Sequence, residues 1–344
     1  MTDNTLIPLI GKSLEELREI AQNVGLKPFQ GGQMAKWLYE KRVKSIDEMT
    51  DLSIAGRQRL AQQYCVGRQE PDVVTESIDG TRKYLFYASS GNAIESVYIP
   101  EDDRATLCIS SQKGCKMNCS FCMTGRQGFH GNLTAAEIIN QILSIPESES
   151  LTNVVFMGMG EPMDNYDAVV KVIEVLTAKW GFAWSPKRIT VSSIGKLTEL
   201  KRLIDSTSVH IAISVHSPFH RERLQLMPVE NAFPIDDVMT LLANYDFAHQ
   251  RRLSVEYIMW DNLNDDIAHA NALAELIRHT SARVNLIRFH AIPDSRLRTA
   301  TNQRMVEFRD HLNQLGIICT IRRSRGEDIM AACGMLAGKN KSNQ

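Results

Sequence analysis

The chain has 344 residues, 43% of them hydrophobic and 23% charged, with 39 basic side chains against 40 acidic ones. This is an ordinary globular composition with length for one large domain or two unequal ones, and a net charge of −1 gives no global signature of a nucleic-acid binder. No apolar run approaches the ~20 residues of a membrane span, and the N-terminus lacks the basic and apolar regions of a secretory signal, so a cytoplasmic protein is expected.

Leu14 to Val24, Gly32 to Arg42 and Ile54 to Tyr64 carry helical spacing, the second with Met34, Trp37 and Leu38 on one face. Lys83 to Tyr87 and Ala93 to Ile99 read as strands around a Ser-Ser-Gly-Asn turn. Residues 1–95 are therefore expected to form a helical accessory domain with a β-hairpin linker.

From Ala105 onward, strands alternate with helices. Strands are predicted at Thr106–Ser110, Asn153–Met157, Arg188–Val191, Val209–Ile213, Arg252–Ile258, Arg283–Phe289 and Ile317–Ile321. Amphipathic stretches between them include Ala135–Ile145, Ala168–Ala178, Ile235–Ala243, Ala268–His279 and Asn302–Leu315. The order is that of parallel βα units, which suits either a doubly wound sheet or a barrel. Met157-Gly158-Met159-Gly160-Glu161-Pro162, Ser192-Ser193-Ile194-Gly195, Ser214-Val215-His216-Ser217 and His290-Ala291-Ile292-Pro293 each follow a strand. Any one of them could be a turn. Their concentration at the C-terminal ends of strands, where barrel enzymes build active sites, favours the barrel.

After the first of these strands comes Gly114-Cys115-Lys116-Met117-Asn118-Cys119-Ser120-Phe121-Cys122. Three thiolates spaced this way can hold three irons of a four-iron cubane and leave the fourth open to a chelating cofactor. A structural zinc site needs a fourth ligand at finger or ribbon spacing, and the nearest histidine, His130, is eight residues beyond Cys122. The stretch resembles the cluster loop of radical S-adenosylmethionine enzymes. In such enzymes a segment like Gly158-Met159-Gly160-Glu161 bonds the cofactor's amino group. Ser192, Ser214, Val215 and His216 are then candidates for its ribose or carboxylate.

Two further cysteines decide the reaction class. Cys108 lies seven residues before Cys115, and Cys333 sits in Ala331-Ala332-Cys333-Gly334. Each alone reads as an inert buried thiol, as Cys65 and Cys319 do. With Leu107–Gly128, Asn132-Leu133-Thr134, Phe156–Pro162, Leu226-Met227-Pro228, Asn285-Leu286-Ile287 and Gly326–Gly334, the chain resembles the RlmN/Cfr family of radical RNA methyltransferases over nearly its whole length.

The resemblance implies a partial (β/α)6 radical SAM barrel, of class α/β, over residues 96–338, with an N-terminal helix-hairpin-helix-like domain and a disordered tail at 339–344. It implies a [4Fe-4S] cluster on Cys115, Cys119 and Cys122, and two S-adenosylmethionine molecules per turnover. Cys333 would accept a methyl group on sulfur, and a 5′-deoxyadenosyl radical would remove hydrogen from that S-methyl. The resulting methylene radical would add to adenine. Glu95 would take the proton, and Cys108 would release the adduct, leaving a disulfide with Cys333. Many members carry an asparagine at the cofactor after the sixth strand, and here His290 stands in its place.

Gly160-Glu161-Pro162 and Gln127-Gly128-Phe129 look more like RlmN members, which methylate carbon 2, than Cfr members, which methylate carbon 8. The implied partners are 23S rRNA (adenosine 2503), tRNA (adenosine 37) and an electron donor such as flavodoxin or ferredoxin, with the protein a monomer. Gly31-Gly32 would offer amides to RNA phosphate. Lys187-Arg188, Arg221 with Arg223, Arg251-Arg252, and Arg322-Arg323 with Arg325 read individually as solvated surface. The competing readings are a radical enzyme acting on a small molecule, which needs neither Cys333 nor the N-terminal module, and a non-catalytic iron–sulfur or zinc RNA-binding protein.

Overall fold

The computed structural model describes residues 6–88, 90–249 and 251–337. The expected tail at 339–344 lies outside them. Near the start, β1 (Ile7–Pro8) pairs in parallel with β2 (Tyr64–Cys65), closing a module of three helices, Leu14–Asn23, Gln30–Ala35 and Ile54–Ala61. The first begins at a capping box: the Glu16 amide donates to Ser13 Oγ at 3.3 Å and the Ser13 amide to Glu16 Oε2 at 2.7 Å. The helix expected from Gly32 to Arg42 starts earlier, and after Ala35 it widens into a five-residue π-helical segment, Lys36–Glu40.

The module shares the barrel's apolar core. Leu9, Leu17, Met34 and Leu38 are fully buried in one cluster with barrel residues such as Ile138 and Val172. Gly11, at φ +78°, lies so close to the helix Ala135–Leu143 that a Cβ would stand 2.4 Å from the Ala136 nitrogen. Lys171 Nζ, on the barrel helix Tyr166–Thr177, adds an ion pair to Glu16 at 2.9 Å.

Among the described residues the main sheet has ten strands. β3 (Val73–Glu76), β4 (Arg82–Tyr87) and β5 (Ala93–Glu101) form an antiparallel meander, and β5 pairs antiparallel with β6 (Arg104–Cys108). A small hairpin of β7 (Gln112–Gly114) and β8 (Phe129–Asn132) brackets the cysteine loop. Its short, glycine-bearing strands carry no alternating pattern for sequence reading to detect. The sheet continues in parallel through β9 (Asn153–Phe156), β10 (Ile189–Ser193), β11 (His210–Ser214), β12 (Leu253–Met259), β13 (Arg283–Arg288) and β14 (Cys319–Ile321). Helices follow each of the strands β6 and β9 to β13, so six βα units precede the short final strand. Leu197–Ser206 and His220–Leu226 are helices that the sequence reading did not predict.

The boundary expected after residue 95 falls inside β5, whose register with β6 runs from Val97↔Cys108 to Glu101↔Arg104. The hairpin is thus part of the barrel sheet rather than a linker to it. The parallel strands curve around a cavity of about 650 Å³, with Thr106, Val155, Thr190, His210, Ser254, Asn285 and Thr320 among its lining side chains. No helix of the described residues is long and apolar enough to cross a membrane.

Candidate active site

The three cysteines expected to hold the cluster lie together just past β7. Their loop is fixed by backbone bonds on every side: Cys115 N to Gly128 O at 2.9 Å, Ser120 N to Leu226 O at 2.9 Å, and Met123 N to Gly334 O at 2.8 Å. Gly114 is at φ +77°, and a Cβ there would meet Gly128 O at 1.9 Å. Asn118, at φ +50°, turns the chain between the first two cysteines. Burial pushes all three thiols up, Cys115 to about 12; Cys119 also feels the charges of Cys122 and Cys115, and Cys115 that of Cys122. No three side chains among the described residues are arranged to hold a single ion. A cubane asks for a wider spacing, since each thiolate takes its own iron, and three neighbouring thiols on a fixed loop with apolar packing fit that requirement.

The segment after β9 packs against β7, just ahead of this loop. Gly160, at φ +98°, packs against Gln112 so closely that a Cβ would lie 2.4 Å from Gln112 Cβ. Glu161 is buried, and its carboxylate accepts from Met163 N at 3.1 Å and Ile194 N at 3.0 Å. Burial pushes its pKa up to about 7, against the pull of the Ser193 hydroxyl and those two amides. Glu161 thus ties the glycine segment to the end of β10. Ser192 lies on β10, half-buried, one residue before Ser193.

The loop after β11 is held from below by Arg223. This side chain is fully buried and donates to Val215 O and Ser214 O, each at 3.1 Å, and to Ile194 O at 3.3 Å. It also pairs with buried Glu230. Arg223 had read as solvated surface, and the structure reverses that: its guanidinium joins the ends of β10 and β11. His216, at φ +62°, accepts from Ile258 N on Nδ1 at 3.0 Å, which leaves the proton on Nε2. Its ring lies edge-on to Phe121 with centroids 4.8 Å apart. Burial, helped by the Arg223 charge, lowers its pKa to about 3, so it is neutral.

Cys333 reaches the cluster loop through its own segment. Besides the Met123–Gly334 bond, Thr124 Oγ1 donates to Leu336 O at 2.7 Å and Ala337 N donates to Glu95 Oε2 at 2.8 Å. Glu95 is buried and also faces Lys83 Nζ at 3.3 Å. Its carboxylate is therefore engaged with the segment that carries Cys333. Cys108 packs with Val97, Met159, Ala331 and Leu336. Burial and the charge of Cys333 push its thiol up to about 12, while Arg322 opposes them. All seven cysteines are free thiols in this structure. Cys333 is exposed and lines the barrel cavity.

Arg322 is another residue that sequence reading placed on the surface. It lines the cavity, and the charges of Cys333, Glu256 and Cys108 raise its pKa. His290 is buried on the cavity wall, Nδ1 3.3 Å from Glu327 Oε1. The expectation for Gly31-Gly32 fails. Both amides are spent in the helix start, on Pro28 O and Phe29 O at 3.0 Å each, and Gly31 is needed where a Cβ would meet Arg18 N at 2.6 Å.

Comparison with known proteins agrees with this geometry. Residues 109–273 match the radical SAM superfamily, and residues 7–66 match the ribosomal RNA large subunit methyltransferase N-terminal domain. The chain is 57% identical to a probable dual-specificity RNA methyltransferase RlmN of Parabacteroides distasonis, covering 96% of each. It is 53% identical to one from Bacteroides fragilis over 98% of each. The chain belongs to the RlmN family. A crystal structure of a radical SAM methyltransferase from Sphaerobacter thermophilus superposes with a TM-score of 0.91 at 34% identity, covering 97% of this chain and 100% of the other. The RlmN relationship thus extends through the N-terminal module as well as the barrel, and a radical enzyme of the methyltransferase class follows from it.

Proposed function

We propose that this protein methylates carbon 2 of an adenine in both 23S rRNA and tRNA, at adenosines 2503 and 37, through a methyl-cysteine on Cys333. The observation that carries the reading is the docking of the Cys333 segment on the cluster loop, with Cys108 and Arg322 close enough for their charges to be felt. A small-molecule radical enzyme has no use for these two further thiols, Cys108 and Cys333, beside the cluster loop.

Cys115, Cys119 and Cys122 are the residues to hold the [4Fe-4S] cluster. Gly160, Glu161, Ser192, Ser214, Val215, His216 and His290 surround the place for S-adenosylmethionine, with Glu161 and His216 acting through the loops they fix. When bound, cluster and cofactor would supply a 5′-deoxyadenosyl radical and an acceptor for the one electron the adduct must lose, and a second cofactor molecule would supply the methyl group. The chain's own part is then specific. Cys333 Sγ takes the methyl, with the Arg322 guanidinium lining the same cavity. Hydrogen loss from that methyl gives a carbon that can bond to C2, an amidine carbon too poor a nucleophile for direct displacement chemistry. Glu95 takes the C2 proton as its hold on the Cys333 segment loosens. The Cys108 thiolate then attacks Cys333 Sγ, forming the disulfide and breaking the S–CH2 bond, and the freed methylene carbon takes a proton to become the C2 methyl.

The accessory helices, with the barrel sheet beginning at the meander, are the part suited to holding folded RNA. The same reading makes the protein a cytoplasmic monomer reduced by a small carrier such as flavodoxin or ferredoxin. The test is reaction of cluster-loaded protein with each RNA, followed by nucleoside mass spectrometry. 2-Methyladenosine in both is expected. Dominant 8-methyladenosine would move the chain to the Cfr side, and no methylated base would end the reading.

A further inference from the structure

The cavity that Cys333 opens onto also contains a carboxylate to which the steps above assign no part. Glu256, on β12, is 4% exposed and lines the cavity wall. Its Oε1 is fully committed, accepting from Ser254 Oγ at 2.9 Å and Asn285 Nδ2 at 2.8 Å. Asn285 is oriented in turn, its Oδ1 accepting from Thr320 Oγ1 at 3.0 Å. This chain of bonds spans β12, β13 and the adjoining β14, and it fixes the plane of the carboxylate. Among the described residues Oε2 has no hydrogen-bond donor. The nearest cation, Arg322 Nη1, stands at 3.9 Å, outside hydrogen-bonding range. A buried anionic oxygen without a donor is costly, and in a cavity beside a reactive thiol it marks a place where a ligand supplies the missing N–H.

Among purines in RNA, adenine presents such a donor on its exocyclic amine, whereas guanine and hypoxanthine place a carbonyl oxygen there. We propose that Glu256 is the specificity-determining residue of the base pocket, accepting an N–H of the adenine amine on Oε2 and rejecting 6-oxopurines by oxygen–oxygen repulsion. This rests on the RNA adenine reading above. The surrounding bonds also predict what a neutral replacement does. In Glu256→Gln, Ser254 and Asn285 both donate to one oxygen, so the amide carbonyl must take the Oε1 place and the NH2 group the Oε2 place. The pocket then offers a donor, which opposes adenine's amine and suits the carbonyl of hypoxanthine.

The experiment compares one RNA carrying adenosine or inosine at the target position, with wild type and Glu256→Gln, each loaded with cluster and cofactor. The ratio of kcat/KM for the two RNAs cancels any loss common to both, including loss through Arg322. The expected result is a shift of that ratio toward inosine by about tenfold to a hundredfold, the range for a hydrogen bond to a charged group gained or lost. An unchanged ratio overturns the proposal and reduces Glu256 to a partner of Arg322. If the variant yields no cluster-bearing protein, wild type is tested on RNA with N6,N6-dimethyladenosine at the target, which has no N–H to give. A rate equal to that on adenosine overturns the proposal equally. Failure of wild type to methylate the adenosine RNA at all overturns the underlying functional reading instead, and the base pocket with it.

Discussion

The amide of Ala337 donates to Glu95 Oε2 at 2.8 Å, fastening the C-terminal segment to β5 of the main sheet. One carboxylate therefore bears on two things, the placement of Cys333 and, in the proposed reaction, the removal of the C2 proton. Replacement by Ala and by Gln separates them. Glu95→Ala leaves Lys83 without its buried anion and Ala337 without an acceptor, a loss on the order of 3 kcal/mol. It should show as faster amide exchange across residues 331–337 and easier proteolysis there. Glu95→Gln keeps an acceptor for Ala337 and removes the base. It should retain the protection and lose roughly 100-fold or more in turnover, the usual scale for a general base. Equal loss of protection in both variants would leave Glu95 only a fastening role.

The cluster prediction follows from the loop geometry. Cys115→Ala, Cys119→Ala or Cys122→Ala should each cost the brown colour and the iron content of anaerobically reconstituted protein. Loss of one of three thiolates exposes a second iron of the cubane. Because the loop's backbone bonds involve Gly128, Leu226 and Gly334 rather than the thiols, the fold should survive. Four irons per chain retained in the triple variant would refute the assignment.

Cys333 and Cys108 should fail at different steps. Cys333→Ala should bind the cluster but acquire no methyl group on intact-mass analysis and give no methylated RNA. Cys108→Ala should take up the methyl and then stall as a covalent protein–RNA species, seen as a slow band on a denaturing gel and removed by nuclease. Since burial holds the Cys108 thiol near about 12, the wild-type release step should quicken as pH rises. Normal turnover of Cys108→Ala would return this thiol to a packing role.

How much of this was legible in the sequence depends on whether the signal was local. The cysteine loop and the glycine segment carry their chemistry in consecutive residues, and the alternation of strands and helices left two architectures open, between which the motifs at strand ends favoured the barrel. Arg223, Arg322 and Glu256 could not be found that way. Each is an ordinary charged residue in a short stretch, and its role comes from strands far apart in sequence: Arg223 meets Ile194, Ser214 and Val215, and Arg322 faces Cys108, Cys333 and Glu256. A basic cluster reads as solvated surface unless the fold turns it inward. Gly31 illustrates the opposite error. A glycine pair near a helix start suggests an anion site, but here close packing on Arg18 accounts for it.

The neutral His216 gives the protein a definite response to acid. Its pKa in the folded state is about 3, below the ordinary 6.5, because burial and the Arg223 charge disfavour the cation. The folded state therefore binds fewer protons than the unfolded chain between those values. Stability from this residue is complete above pH 6.5 and is lost as pH falls toward 3. Between about pH 7 and pH 5 the loss should be on the order of 2 kcal/mol. His216→Asn is the matching control. Asparagine tolerates the left-handed backbone at φ +62°, and its side-chain oxygen can take the Ile258 amide, yet it does not titrate. Urea unfolding of both proteins at the two pH values should show a smaller loss in the variant. Half-buried His210, also lowered, to about 4, acts alike in both and cancels. An identical acid loss in the two proteins would mean that His216 is not a source of the pH response.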